Sequence, residues 1–220
     1  MASGPSAAGS GGSAAISRTT SIEDGASASA GGGTSREFAP KAVAAGAVVI
    51  DNSSAFRMQA DVPLVVPEVN RAAIAGHQGI IANPNCSTII LVLALQPLHR
   101  RAGLQSVVVS TYQAASGAGQ RAMDEMHAAT RAVLAGEAPP KPDALAQSLA
   151  FNLFPHVDVF MDDGFTREED KMLFEVRKIL DMPALTVDAT CVRVPVFVGH
   201  SESINIEFED FLDPSQSQKE

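Results

Sequence analysis

Apolar and polar positions change their spacing along this chain in a way that separates strands from helices. "AVVID" (47–51) and "GIIA" (79–82) are short apolar runs bounded by turn residues, which predicts buried strands. "QSVVVSTYQ" (105–113) has the β-branched character of a further strand. "SREFAPKAVAAG" (35–46) predicts a short helix stopped by Gly46, "STIILVLALQPLHR" (87–100) a helix interrupted by Pro97, and "QRAMDEMHAATRAVLAG" (120–136) a helix closed by Gly136. After the Pro-rich "EAPPKPDA", the stretch "TREEDKMLFEVRKIL" predicts another helix, with Thr166 and Glu169 spaced as a capping box. "LTVDATCVRVPVF" running into "HSESINIEFE" predicts a β-hairpin. Strands and helices mix throughout, so the class is α/β passing into α+β.

Residues 1–34 are rich in Ser, Ala and Gly without apolar periodicity, and the expectation is a flexible leader. No acid precedes Glu23, as in a plastid transit peptide, and no apolar core of a secretory signal is present. At 45% hydrophobic and 19% charged, the composition is that of a soluble globular protein. The net charge of −9 comes without a basic stripe, which argues against nucleic acid as a partner, and no apolar run is long enough to span a membrane. Two cysteines do not make a disulfide framework, so a reducing, cytoplasmic location is expected, with a plastid as the alternative.

Chemistry concentrates around "NPNCST" (83–88), where a turn leads from a strand into a helix. A helix start lowers a thiol pKa through unpaired amide N–H groups and the helix dipole, which predicts for Cys86 a larger thiolate fraction than a thiol with pKa ~8.5. From residue types alone, nucleophile and structural cysteine both stay open. Cys191, inside "ATCVRVPV", reads as packing, and His77, His99, His127 and His156 read as surface or packing residues. No Cys, His and carboxylate cluster has metal-ligand spacing, so no metal is expected.

Four segments, "DNSSAFRM", "NPNCST", "STYQAASGAG" and "CVRVPVFVGHSE", occur in an order that resembles the aspartate-β-semialdehyde dehydrogenases, from about Ser27 to Glu209. The resemblance implies NADP-dependent reductive dephosphorylation of L-4-aspartyl phosphate to L-aspartate 4-semialdehyde through a cysteine thioester, on the route to Lys, Thr, Met and Ile. It makes Cys86 the nucleophile, Gln113 the residue that orients the acyl-enzyme, and His200 the general acid/base, with a pKa near ~6.5. It gives Arg193 to the substrate α-carboxylate, Glu168 to its ammonium, and Lys171 and Arg57 to the phosphate. It sets Ser29, Ala30, Gly31 and Asn52 along the cofactor and Ser116 and Gly117 beside the nicotinamide.

The implied architecture is a remnant of a Rossmann-type cofactor domain plus a catalytic and dimerisation domain with a mixed sheet and flanking helices. After the leader this gives a partial NADP-binding domain (35–85), a catalytic and dimerisation domain (86–212) and a polar tail (213–220). The implied partners are aspartyl phosphate or aspartate semialdehyde, inorganic phosphate and a second copy of the chain, paired through the sheet that contains Val192–Val196 and Ile204–Phe208. The family's opening strand, Gly-rich turn and helix, which cradle the cofactor pyrophosphate, have no counterpart; "SGPSAAGSGG" has the glycines without the strand. "FLDPSQSQKE" ends short of the family's remaining strands. Weak NADP binding is therefore expected, and the alternative reading is a non-catalytic dimerising or regulatory relative, or a fragment, that has lost NADP.

Overall fold

In the computed structural model, which describes residues 17–18, 25–28, 31–213 and 215, the chain divides into two units. One holds the described residues up to Pro63 together with Gly76–Asn83; the other holds Leu64–Ala75 and the described chain from Pro84 on.

The first unit is built on four strands, β1 (Ser17–Arg18), β2 (Gly25–Ala28), β3 (Val48–Asp51) and β4 (Ile80–Ala82), ordered β1-β2-β3-β4. β2, β3 and β4 run parallel, and helix α1 (Gly32–Ala44) makes the crossover that parallel β2 and β3 require. This unit is the expected remnant of a Rossmann-type sheet. The strand at Gly25–Ala28 and the helix start at Gly32 correct the expectation of a leader extending to residue 34. "GASA" has no apolar pattern of its own and becomes a strand because β3 supplies a ladder partner from Val48 to Asp51. β3 is also less buried than its apolar run suggests: Val49 and Asp51 point inward, while Ile50 is 44% exposed. Asp51 is buried because it is satisfied, accepting from Ser35 Oγ at 2.7 Å, Ser53 N–H at 3.1 Å and Ser53 Oγ at 2.9 Å. Gly79 allows α1 to lie close to the sheet. Its φ is +100°, and a Cβ there would come within 2.5 Å of Val43 Cγ1.

The second unit contains α2 (Pro67–Asn70), α3 (Cys86–Ala102), α4 (Gln120–Leu134) and α5 (Arg167–Ile179), with β5 (Leu104–Gln113), β6 (Thr186–Arg193) and β7 (Ser201–Phe208). Its sheet is ordered β6-β5-β7, β6 parallel and β7 antiparallel to β5. The predicted hairpin is therefore absent: β6 and β7 flank β5 and do not pair with each other. The connection 194–200 has no tight-turn dipeptide and is long enough to step across one strand. It bonds to the end of β5 on the way, Val194 N–H to the Gln113 carbonyl at 3.0 Å and Ala115 N–H to the Val196 carbonyl at 2.8 Å. Pro97 does not interrupt α3 either. The carbonyl that loses its bond belongs to Leu93, on an exposed turn where water can replace the partner.

Leu91, Val92 and Leu95 of α3 and Met172, Val176 and Ile179 of α5 are buried with Val107, Val109, Ala189 and Cys191 of the sheet. α5 packs on β6, and α3 packs on β7 and on α5. Each fully buried Leu, Val or Met contributes about 1.5–3 kcal/mol. The capping box is present as predicted: Thr166 N–H donates to Glu169 Oε2 at 2.7 Å, and Thr166 Oγ1 accepts from Glu169 N–H. Glu169 Oε1 accepts from Cys191 N–H on the free edge of β6, so the helix cap also satisfies an edge amide. Val108 and Tyr112, 49% and 43% exposed, lie on the opposite face of the sheet.

Glu202 faces inward from β7, across Thr111 from Cys191. Neither of its carboxyl oxygens has a hydrogen-bond partner among the described residues, and burial pushes its pKa up to about 7 from 4.5. Because the folded-state value is the higher one, the cost is absent below pH 4.5, grows as pH rises towards 7 and is constant above. Glu202→Gln should therefore gain stability over the parent chain across that window. Denaturant unfolding at acid and alkaline pH checks this, and an equal difference at both ends would contradict it.

Candidate active site

The site begins with the residue that starts α3. Asn85 is its N-cap, with Oδ1 accepting from Ser87 N–H at 2.9 Å and Thr88 N–H at 3.3 Å, so Cys86 is the first helical residue, open to solvent on one side and covered by protein on the other. Asn85 is itself held by α5. Its Nδ2 donates to Glu168 Oε1 at 2.9 Å, and its backbone N–H donates to Glu175 Oε2 at 2.7 Å. Glu168 and Glu175 are two helical turns apart on one face, and both are buried.

At the end of β5, Gln113 is buried with three acceptors around its Nε2: Ser87 Oγ at 3.0 Å, Glu168 Oε1 at 3.2 Å and Thr111 Oγ1 at 3.2 Å. Lys171 reaches Glu168 Oε2 at 3.0 Å. Burial alone would raise the Glu168 carboxyl pKa, but the Lys171 ammonium and the amides of Asn85 and Gln113 outweigh it and hold the group below the usual range. Burial likewise opposes the charge on Lys171, and Glu168 and Asp158 reverse that and raise its pKa.

Arg193 closes β6 with its guanidinium buried. Its hydrogen bond among the described residues runs from Nη1 to the Ala114 carbonyl at 2.6 Å. Burial pulls its pKa down, and the fields of Glu168 and Cys86 partly restore it. The backbone of the same residue holds the histidine: Ala114 N–H donates to His200 Nδ1 at 3.0 Å, which leaves the neutral ring's proton on Nε2. Gly117 lies against both, since a Cβ there would be 3.2 Å from Arg193 Nη1, His200 Cε1 and His200 Nε2. Ser116 is half-buried beside it and donates its N–H to the Phe197 carbonyl at 3.0 Å.

Two expected pKa values need correcting. The Cys86 thiol is raised, not lowered. Partial burial is the larger cause and the Glu168 carboxylate the second, and hydrogen bonds at the helix start, the expected effect, offset them only in part. His200 is not unshifted: burial and then the nearby Arg193 charge pull it below 6.5. Cys191 is buried in the sheet and its thiol is pushed up to about 12.

The second unit thus brings together Cys86, Gln113, Glu168, Lys171, Arg193, His200, Ser116 and Gly117. Arg57, Asn52 and Gly31 belong to the first unit. There Arg57 is buried, donating from Nε to the Asn83 carbonyl at 2.9 Å and from Nη2 to the Asn52 carbonyl at 3.2 Å. Asn52 Oδ1 accepts from Asn83 Nδ2, and Gly31 stands at the start of α1 with φ +92°. Ser29 and Ala30 lie outside the described residues. Sequence reading missed Asn85, Glu175 and Ala114. Asn85 carried a usable signal, an N-cap residue directly before the helix; Ala114 acts through its backbone and carried none.

Comparison with known proteins bears on the family of the chain. The model of the semialdehyde dehydrogenase dimerisation domain matches residues 95–220, and that of the semialdehyde dehydrogenase NAD-binding domain matches residues 23–77. Aspartate-semialdehyde dehydrogenase of Aquifex aeolicus is 54% identical over 193 residues, 87% of this chain and 57% of the relative. The solved structure of aspartate semialdehyde dehydrogenase II from Vibrio cholerae, complexed with ASA, matches with a TM-score of 0.87 at 46% identity, over 89% of this chain and 59% of that one. Aspartate semialdehyde dehydrogenase from Candida albicans, solved with NADP, matches with a TM-score of 0.64 at 26% identity, over 89% of this chain and 54% of its own. The chain spans somewhat over half the length of these relatives, and it belongs to the semialdehyde dehydrogenase family.

Proposed function

We propose that this chain carries the thioester chemistry of an aspartate-semialdehyde dehydrogenase, the NADP-dependent reductive dephosphorylation of L-4-aspartyl phosphate to L-aspartate 4-semialdehyde. The observation that carries this reading is a thiol at the first position of a helix, grouped with a buried guanidinium that uses one N–H on the Ala114 carbonyl. A buried cation with donors to spare suits a carboxylate, whose two oxygens fit the guanidinium fork. Arg193 accordingly binds the substrate α-carboxylate and Glu168 its ammonium, while Lys171 binds the phosphate; Arg57 is a phosphate residue by the family resemblance alone.

Attack by the Cys86 thiolate on the acyl carbon breaks the bond to phosphate and forms the thioester, which Gln113 orients. NADPH, when bound, supplies the hydride that reduces it. The bare backbone at Gly117, with Ser116 next to it, suits a close-lying nicotinamide; Ser29, Ala30, Gly31 and Asn52 are cofactor residues by the family resemblance alone. His200 offers its Nε2–H to charge that develops on the reacting oxygen or sulfur. Taking up a second proton at Nδ1 would require it to release the Ala114 N–H, in line with its lowered pKa. The exposed sheet face around Val108 and Tyr112 is the surface through which two copies pair.

Supplied with L-aspartate 4-semialdehyde, phosphate and NADP, the purified chain should form NADPH. Cys86→Ser should abolish this, and Arg193→Lys should raise KM for the semialdehyde about tenfold, as expected when a bidentate contact is lost. No turnover, with no acyl adduct on Cys86 by mass spectrometry, would count against the reading.

Resting reactivity gives a second test. The Glu168 carboxylate raises the Cys86 thiol pKa, so Glu168→Gln should move the pH midpoint of iodoacetamide alkylation at Cys86 downward, with Cys191 slow in both proteins. An unmoved midpoint would remove Glu168 as a cause.

Pairing is checked by sedimentation. Val108→Asp places a charge in the proposed interface and should turn a dimer into a monomer, and a dimer that survives would move the interface elsewhere.

A further inference from the structure

Lys171, assigned above to the phosphate, already has two anions: its Nζ lies 2.7 Å from Asp158 Oδ2 and 3.0 Å from Glu168 Oε2. Two carboxylates on one ammonium leave the trio net negative, so its field does not by itself attract a further anion. Glu168 is there through its i,i+3 position on α5. Asp158 arrives by a separate route. The turn 158–165 closes on itself with Met161 N–H to the Phe165 carbonyl at 2.7 Å, and Arg167 N–H to the Val159 carbonyl at 2.9 Å ties it to the first turn of α5.

The backbone at Asp158 is left-handed, with φ +65°, and Oδ1 accepts from Val159 N–H at 2.8 Å. Aspartate tolerates this conformation because its short side chain can bond the adjacent backbone. The two oxygens thus have separate tasks, Oδ1 fixing the turn and Oδ2 holding Lys171. The charged groups that bear on Asp158 are Lys171 and Arg167, both on α5.

We propose that Asp158 is a specificity-determining residue, the resident counter-anion of Lys171 that a phosphoryl group or inorganic phosphate must displace to bind there. The inference rests on the reading of Lys171 as a phosphate cation. A tethered carboxylate competes at high effective concentration, so weak singly charged anions fail to displace it, whereas a dianion with several acceptor oxygens succeeds. Asp158 therefore lowers phosphate affinity and raises selectivity.

The test is the concentration of inorganic phosphate that half-protects Cys86 from iodoacetamide, at constant ionic strength. Asp158→Asn keeps the left-handed turn and an Oδ1 acceptor while removing the acceptor facing Lys171, and Asp158→Gly tolerates the same φ with no carboxylate. Both should lower the half-protecting concentration by roughly two- to fivefold, the range expected for an ion pair of this exposure. Lys171→Met should raise it and cancel the gain from D158N. If D158N and D158G leave the concentration unchanged or raise it while K171M still weakens protection, the inference falls and the phosphate reading of Lys171 stands. If K171M has no effect, or phosphate protects none of these proteins, both fall.

Discussion

The buried Glu168 carboxylate is the constraint on which the second unit depends. A charge removed from water needs partners, and here they come from separate segments: Asn85 before α3, Gln113 at the end of β5, and Lys171 one turn further along α5. Satisfying one side chain therefore pins two helix starts and the central strand to a common point. After burial, the same field is the next influence on the resting chemistry. It opposes a thiolate at Cys86 and supports charge on the buried Arg193. Glu175 adds a second tie, so α5 holds Asn85 by both backbone and side chain.

Signals confined to a few neighbouring residues were legible in the sequence. Thr166 and Glu169 form their capping box, and Gly46 and Gly136 follow helix ends with φ +88° and +75°, values that a glycine adopts freely. Terms set by distant segments were not legible. "GASA" needed β3 as its partner, and the hairpin reading failed because neighbours in sequence are not neighbours in the sheet once β5 comes between them. At the site, the helix start at Cys86 was local and readable. The sign of its pKa shift was not, because burial by distant segments sets it first, and the opposing carboxylate that adds to it comes from α5, 83 residues beyond Asn85. Gln113, Arg193 and His200 were found through resemblance to a family; no spacing in the chain links them.

What joins Arg193 and His200 in space is the backbone of one residue. Ala114 gives its carbonyl to the guanidinium and its N–H to the imidazole, and the connection 194–200 bonds along β5 just beside it. The position of both side chains therefore follows from sheet pairing, and Gly117 leaves the space over them open.

The strand order also has a consequence for synthesis of the chain. β5 is the centre of its sheet, yet both of its neighbours are made later, with more than seventy residues between Gln113 and Thr186. At about 5–20 residues per second a ribosome needs roughly 4–15 s to cross that gap. Through that interval a β-branched strand with two open edges waits unpaired, the kind of segment that nascent chains aggregate through. The thiol at Cys86 has by then been made, but Arg193 and His200 have not. Its reactive surroundings thus assemble only after Arg193 and His200 have been made.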